Sequence, residues 1–528
     1  MTTRRKFLGS LAASGAMLAT PANRVLAQQV PDLVLKLTAA PAALPIFPGT
    51  ATRVLRLDGE VLAGRPDALQ ASGSYLGPTI ELRRGERVRI HFDNRLSEAS
   101  IIHWHGLIVP ESADGHPRFA VNPGGRYTYE FTVRNPPGTY LYHPHPHGRT
   151  GFQVYHGLAG MIIIRDAEED AIGLPRGPYE LPLVLQDREI DGDNQLIFRD
   201  TMMTRTTGVL GDRAFVNGRP DVRIRVSRRH YRLRVLNASN ARIYKLAWSD
   251  GRPMTVIGTD NGLLDAADGP QQRPYVMLGP TERVEILEDF TTRRPRAEVA
   301  LISEPFDTGA QMEMMKGGGM GGGMGGMMGG GMGGMMGGGM GGNASQGRSP
   351  GQMGMMESSQ GREMVLARFT IGAEHPRPLA EFTLPKGRSA PPEPRFELTT
   401  RMSFRHMRGF LNGRDFEMKA VARDERVPRN VPLLWTFEHE DGMGMHMPHP
   451  MHVHGVRFRV IERHRGPHAP ADVADGFVDQ GYKDTVLVFP GERVRVAMTA
   501  SESGLFMYHC HNLEHEDGGM MRNFLVEA

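Results

Sequence analysis

The chain is 528 residues long, more than a single hydrophobic core organises, so several domains are expected. Its 62 Lys and Arg against 59 Asp and Glu leave a formal net charge of +3, which excludes the basic footprint of a nucleic-acid-binding protein. A single cysteine, Cys510, excludes any intrachain disulfide, and by default such a residue is a small buried hydrophobe.

The chain opens with "TTRRKFLGSLAASGAMLATPANRVLAQQ", in which Arg4 and Arg5 precede a short, weakly apolar run and a small-residue site at Val25 to Ala27. This order reads as a twin-arginine export signal over 1–27, handled by the twin-arginine export machinery, with a bacterial periplasmic protein starting near Gln28. The run is too short and too rich in Gly, Ala and Ser to span a bilayer, so no stable membrane insertion is expected.

Beyond it, alternation of apolar and polar residues predicts strands at "ERVRIHF" (Glu86 to Phe92), "YTYEFTV" (Tyr127 to Val133), "HYRLRVL" (His230 to Leu236) and "ERVRVAM" (Glu492 to Met498). "RGERVRI" at Arg84 recurs as "PGERVRV" at Pro490 and more weakly as "GPTERVEIL" at Gly279. "HWHG" at 103–106 recurs as "HVHG" at 452–455, and "GTYLYHPH" at 138–145 as "GLFMYHCH" at 504–511. The repeats predict an all-β chain of three β-sandwich domains, 40–168, 176–375 and 380–528, whose middle copy kept the strand phrase and lost the histidines. One stretch departs from this pattern. Residues 311–356 are dominated by Gly and Met, too costly in backbone entropy for a packed core, and are expected to enlarge a hairpin of the middle domain between "EVALISEP" and "EMVLARFTI".

Four H-x-H pairs follow from the repeat: His103 with His105, His143 with His145, His452 with His454, and His509 with His511. Residues i and i+2 of a strand share a face, so each pair presents two imidazoles. One such pair is commonly a surface feature, but two matching sets in two homologous domains predict a metal site between the first and last domains. Imidazole suits copper, zinc, iron or nickel. Cys510 points to the opposite face from His509 and His511, where His449, His515 and Met520 can join it. Two His, one thiolate and an axial thioether form the ligand set of a blue-copper centre, whereas structural zinc takes several thiolates and rarely a thioether.

Together H-W-H-G, H-P-H, H-P-x-H-x-H-G and H-C-H-x3-H-x4-M resemble the multicopper oxidases, and the likeness covers essentially the entire mature chain. The resemblance implies three cupredoxin-like Greek-key domains and four copper ions. It implies a type 1 copper on His449, Cys510, His515 and Met520, and a type 2 copper on His103 and His452. The type 3 pair would use His105, His143 and His511 on one ion, and His145, His454 and His509 on the other. It further implies that single electrons from a donor are delivered four at a time to O2, giving water, with Asp114 and Glu516 serving protons.

Among its members the chain is most similar to periplasmic copper-efflux cuprous oxidases, which implies Cu(I) as donor. Met402 and Met447 match the substrate-copper methionines of that group, and Met445 stands where an aspartate is expected. Thioethers suit Cu(I), so the Gly/Met-rich segment fits the same donor. The alternatives are a laccase-like oxidase of phenols and aromatic amines, docking at an exposed type 1 histidine, and a non-catalytic cupredoxin scaffold. A monomer is expected.

Overall fold

The computed structural model describes residues 30–308, 360–387, 393–405, 407–439, 447–466 and 469–528. The export-signal reading, the Gly/Met-rich segment 311–356 and Met445 lie outside the described residues.

The chain is almost entirely β, in six sheets. A four-stranded sheet containing Leu33–Leu44 and Arg87–Asn94 packs on a five-stranded one containing Gly138–Pro144 and Gly160–Arg165, and their facing side chains form one core. A middle pair of sheets and a last pair, the latter spanning Phe396–Arg405 to Met521–Glu527, enclose two further cores. The first core begins at Leu33, ahead of the boundary at 40 drawn from sequence, because the first half of Leu33–Leu44 alternates buried and half-buried side chains. Each pair of sheets carries one parallel pairing per sheet. Leu33–Leu44 runs parallel to Arg87–Asn94, Glu180–Arg188 to His230–Asn237, and Phe396–Arg405 to Leu433–His439. Opposite them Thr79–Arg83 runs parallel to Gly160–Arg165, Val222–Val226 to Met364–Ile371, and Arg426–Pro428 to Met521–Glu527. The triplication legible in "ERVRI", "ERVEI" and "ERVRV" is thus a triplicated Greek-key sandwich.

The strands flanking the Gly/Met-rich segment, Glu298–Ser303 and Met364–Ile371, pair antiparallel up to Ser303 opposite Met364. They are inner strands of their five-stranded sheet, so the insertion leaves from the end of that sheet.

Alternation also explains the residue enclosed by three of the four histidine pairs. Trp104, between His103 and His105, turns into the first core and meets Tyr129 edge-on with ring centroids 5.1 Å apart. Val453 and Cys510 turn into the third core in the same way. Replacing Trp104 by Ala is expected to cost about 3–5 kcal/mol, read as an earlier chemical-denaturation transition by circular dichroism. Among the described residues no helix is long and apolar enough to cross a membrane.

Candidate metal centre

Each H-x-H pair straddles the end of a strand rather than lying within it. His103, His452 and His509 fall inside Ile102–His103, His449–Val453 and Gly504–Cys510, whereas His105, His454 and His511 fall just beyond; His145 likewise follows Gly138–Pro144. The glycine after two of the pairs makes the turn. Gly106 and Gly455 have φ of 85° and 67°, where a Cβ would strike Asp484 Oδ2 in one case and the Phe506 ring at 2.8 Å in the other.

All eight imidazoles are no more than 2% exposed and meet between the first and last domains. Their ligand atoms gather into three groups, His103 with His105 and His452, His105 with His143 and His511, and His145 with His454 and His509. Three of the four H-x-H pairs are divided between groups, and the fourth shares His105 between the first group and the second, so the pairs bridge the groups.

Hydrogen bonding shows what the groups are built to hold. Burial, above all, holds the eight rings well below the ordinary histidine range, so each is neutral with one N–H. His103 Nδ1 donates to the Asp114 carbonyl at 2.6 Å, His452 Nδ1 to the Asp484 carbonyl at 2.8 Å and His143 Nδ1 to the Pro144 carbonyl at 2.9 Å. His454 Nδ1 donates to Asp114 Oδ2 at 2.7 Å and His509 Nδ1 to the Cys510 carbonyl at 3.2 Å. The inner nitrogens of these rings are therefore bare lone pairs. His454 Nε2 and His509 Nε2 face each other at 3.1 Å, and His103 Nε2 and His452 Nε2 are buried without a hydrogen-bond partner. Facing lone pairs repel, and a buried unpartnered nitrogen costs roughly 1–3 kcal/mol; a cation shared among them removes both penalties. The donor set fits metal ions.

Cys510, fully buried, anchors a fourth group. His449 Nδ1 lies 3.4 Å from its Sγ and His515 Nδ1 3.5 Å. The outer nitrogen of His515 donates to the Thr206 carbonyl of the middle domain at 2.8 Å, leaving Nδ1 bare toward the sulfur. The Cys510 N–H donates to the Met520 carbonyl at 3.1 Å, which sets the buried Met520 beside this group. Burial raises the thiol above its ordinary value, so a thiolate there depends on a bound cation. His515 is 1% exposed, so the exposed histidine on which phenol docking was expected is covered; the middle domain's carbonyl lies over its edge.

Asp114 and Glu516 are both buried rather than solvated. Asp114 holds His454 through its carboxylate and His103 through its carbonyl. Glu516 Oε2 lies 3.2 Å from His509 Nδ1 and Oε1 3.6 Å from His145 Nε2. Burial raises both carboxyls above their usual range, Glu516 further, with Asp517 adding to it. Met402 is buried in the third core with Met451, Met520 and Cys510. Met447 is buried also, and its carbonyl accepts from His439 Nε2 at 3.0 Å.

Several supporting residues escaped the sequence reading. His439 stacks on His449 with centroids 5.1 Å apart. Glu514 accepts from Asn240 Nδ2 at 2.8 Å and Val209 N at 2.9 Å, while Asp517 accepts from Thr150 N at 2.9 Å and Gly151 N at 2.8 Å. The short helix Leu513–Asp517 thereby ties the third domain to both others. Asp484 Oδ1 accepts from His105 Nε2 at 3.0 Å, while its carbonyl holds His452. Arg283 of the middle domain clamps that carboxylate with two parallel bonds, Nη1 to Oδ1 at 2.8 Å and Nη2 to Oδ2, and Asn261 Nδ2 donates to Oδ2 at 2.8 Å. Arg283 belongs to "TERVEIL", the phrase retained by the copy without histidines; its signal was there, although nothing in the phrase told a buried arginine from the surface Arg87 of the first copy.

Three Greek-key sandwiches with a polynuclear histidine site between the outer two, and a Cys-centred group beside it, define a cupredoxin-type metalloprotein. The multicopper oxidase family models match residues 60–169 and 388–528. The McoA multicopper oxidase of Aquifex aeolicus has the same fold, with a TM-score of 0.72 and 30% identity over 94% of this chain and 97% of that one. The multicopper oxidase mco of Staphylococcus haemolyticus is 27% identical over 87% of this chain and 84% of its own. A laccase of Haloferax volcanii is 29% identical over 86% and 77%. The chain belongs to the multicopper oxidase family. It is accordingly an oxidase with copper as its cofactor, a metal that the imidazoles and the thiolate suit.

Proposed function

We propose that the chain oxidises Cu(I), one electron at a time, at a type 1 copper on His449, Cys510, His515 and Met520, and reduces O2 to water at a cluster of three further coppers. In this reading His103 and His452 hold the type 2 ion, and the type 3 ions take His105, His143 and His511, and His145, His454 and His509. The observation that carries it is the placement of Cys510. Its sulfur sits between His449 and His515, while His509 and His511, one residue to either side, enter two different imidazole groups. Copper supplies one-electron chemistry at the thiolate and multi-electron chemistry at the cluster. The backbone of His509–Cys510–His511 joins the two at the shortest covalent separation the chain allows.

The chain's own groups then have defined tasks. Asp114 and Asp484 orient imidazoles, and Glu516, against His509 and His145, is positioned to hand protons to reduced oxygen. The thioethers Met402 and Met447, with Met445, support Cu(I) as the donor, making the protein part of copper homeostasis. Oxidation of phenols or aromatic amines is the second reading, favoured by the likeness to a laccase. We also propose export to the periplasm, supported by Arg4, Arg5 and the small-residue site before Gln28.

Oxygen uptake with Cu(I) against a phenol, in wild type and in a chain lacking 311–356, separates the two donors. The expected result is faster uptake with Cu(I) and a loss of that preference in the deletion. Cu(I) oxidation indifferent both to the deletion and to Met402→Leu with Met447→Leu would sink the proposed substrate route.

A further inference from the structure

We propose that Trp104, Tyr129 and Tyr127 form an aromatic conduit that carries single electrons from the surface of the first domain to the imidazole groups when the Cys510 centre has none to give; this rests on O2 being reduced at those groups. Trp104 is joined by one peptide bond to His103 and by another to His105, which share an imidazole group. Along the chain it is as near to the groups as Cys510 is.

The indole nitrogen marks this tryptophan out. The chain has three tryptophans, and Trp248 Nε1 donates to Glu288 Oε2 at 2.7 Å and Trp435 Nε1 to Thr400 Oγ1 at 2.9 Å. Trp104 Nε1 is buried without a hydrogen-bond partner. Native interiors keep few such orphans, and a redox role is one reason to keep one. An indole that has lost an electron becomes strongly acidic at this nitrogen. Where an oxygen accepts from it the proton leaves and the missing electron is trapped; with no acceptor the proton stays, and the vacancy moves on.

A path for it leads outward. The Trp104 ring meets Tyr129 with centroids 5.1 Å apart, and Tyr129 meets Tyr127, two residues along the same strand Arg126–Thr132, at 4.9 Å. Tyr129 is fully buried and its hydroxyl accepts from Ile102 N at 2.8 Å, so it passes the vacancy on. Tyr127 is half-buried and donates to the Ser112 carbonyl at 2.6 Å, so water can reach it and take its proton. Tyr142, 5.9 Å from Trp104, is no exit: it is fully buried, with its hydroxyl on the Pro78 carbonyl. In the step itself Trp104 loses one electron toward the imidazole groups and Tyr129 replaces it. Tyr127 replaces that of Tyr129, and its phenolic proton leaves to water. O2 is the final acceptor of the electron, and a soluble reductant of the phenol or thiol class returns one electron and one proton to Tyr127.

The test uses copper-loaded, fully reduced Cys510→Ser protein, which is one electron short of what O2 needs, mixed with O2 and freeze-quenched for electron paramagnetic resonance. The expected result is an organic radical whose hyperfine pattern narrows when the protein carries ring-deuterated tyrosine. Tyr127→Phe and Tyr129→Phe each keep the ring and nearly the volume, so the fold is retained, and each is expected to abolish that signal. Peptide mass spectrometry after prolonged exposure to O2 without a donor should then find oxygen added to Trp104 in both variants and not in the wild type. A reduced protein reoxidised by O2 without the radical overturns the conduit alone, as does a signal unchanged in both variants. A reduced protein that O2 does not reoxidise overturns the oxygen reading and the conduit with it.

Discussion

Cys510→Ser is expected to give a folded, colourless protein whose oxygen uptake falls to the level of the metal-free chain. The substitution conserves volume at a fully buried position of the third core, so the sandwich is retained. What disappears is the soft anionic ligand between His449 Nδ1 and His515 Nδ1 and, with it, the thiolate responsible for blue absorption. His509 and His511 are untouched, so copper should still load between the outer domains. The measurement is absorption and copper content on one sample: blue absorption retained in the Cys510→Ser variant contradicts the assignment of the thiol, and a colourless wild type after copper loading contradicts the oxidase reading altogether.

Arg283→Met is expected to be comparably damaging from a domain that supplies none of the candidate ligands. Arg283 and Asp484 are both fully buried and joined by two bonds, and removing one partner of a buried pair typically costs about 3–5 kcal/mol because the other charge is stranded. Asp484 in turn orients His105 and His452, which belong to one imidazole group. Loss of such support commonly lowers metal affinity about 10–100-fold. Chelator competition should therefore strip the cluster from the variant first, while the blue centre persists. Asp484→Asn, which keeps the shape and one acceptor, should show a smaller loss. Wild-type retention of cluster copper in both variants would remove Arg283 and Asp484 from the centre's support.

The contrast between these two predictions shows how far the sequence carried. Cys510, His449, His515 and the four H-x-H pairs were readable because a ligand type and a period of two identify them without knowledge of the fold. All four alternating stretches singled out in the chain are strands. Arg232 and Arg234 in "HYRLRVL" mark where that reasoning stopped. Alternation assigns them to a polar face, but the face lies against the first domain, and both are buried in ion pairs with Glu169, Glu180 and Glu285. Asp484, Glu514 and Asp517 escaped for the same reason. A carboxylate on a domain interface looks like a solvated one until the partner domain is placed. The covering of His515 by Thr206, more than three hundred residues away in sequence, leaves no local trace at all.

The sharing of the imidazole groups between the two outer domains has a consequence for the molecule as a mechanical object. None of the three imidazole groups can be completed by one end of the chain, since each takes histidines from both the first and the last domain. The two ends act as halves of a clasp, with the metal as its pin. Losing the metal and loosening the interface are therefore one equilibrium: a chelator that empties the groups leaves neutral lone pairs facing each other across the seam, and a change that opens the seam releases the metal.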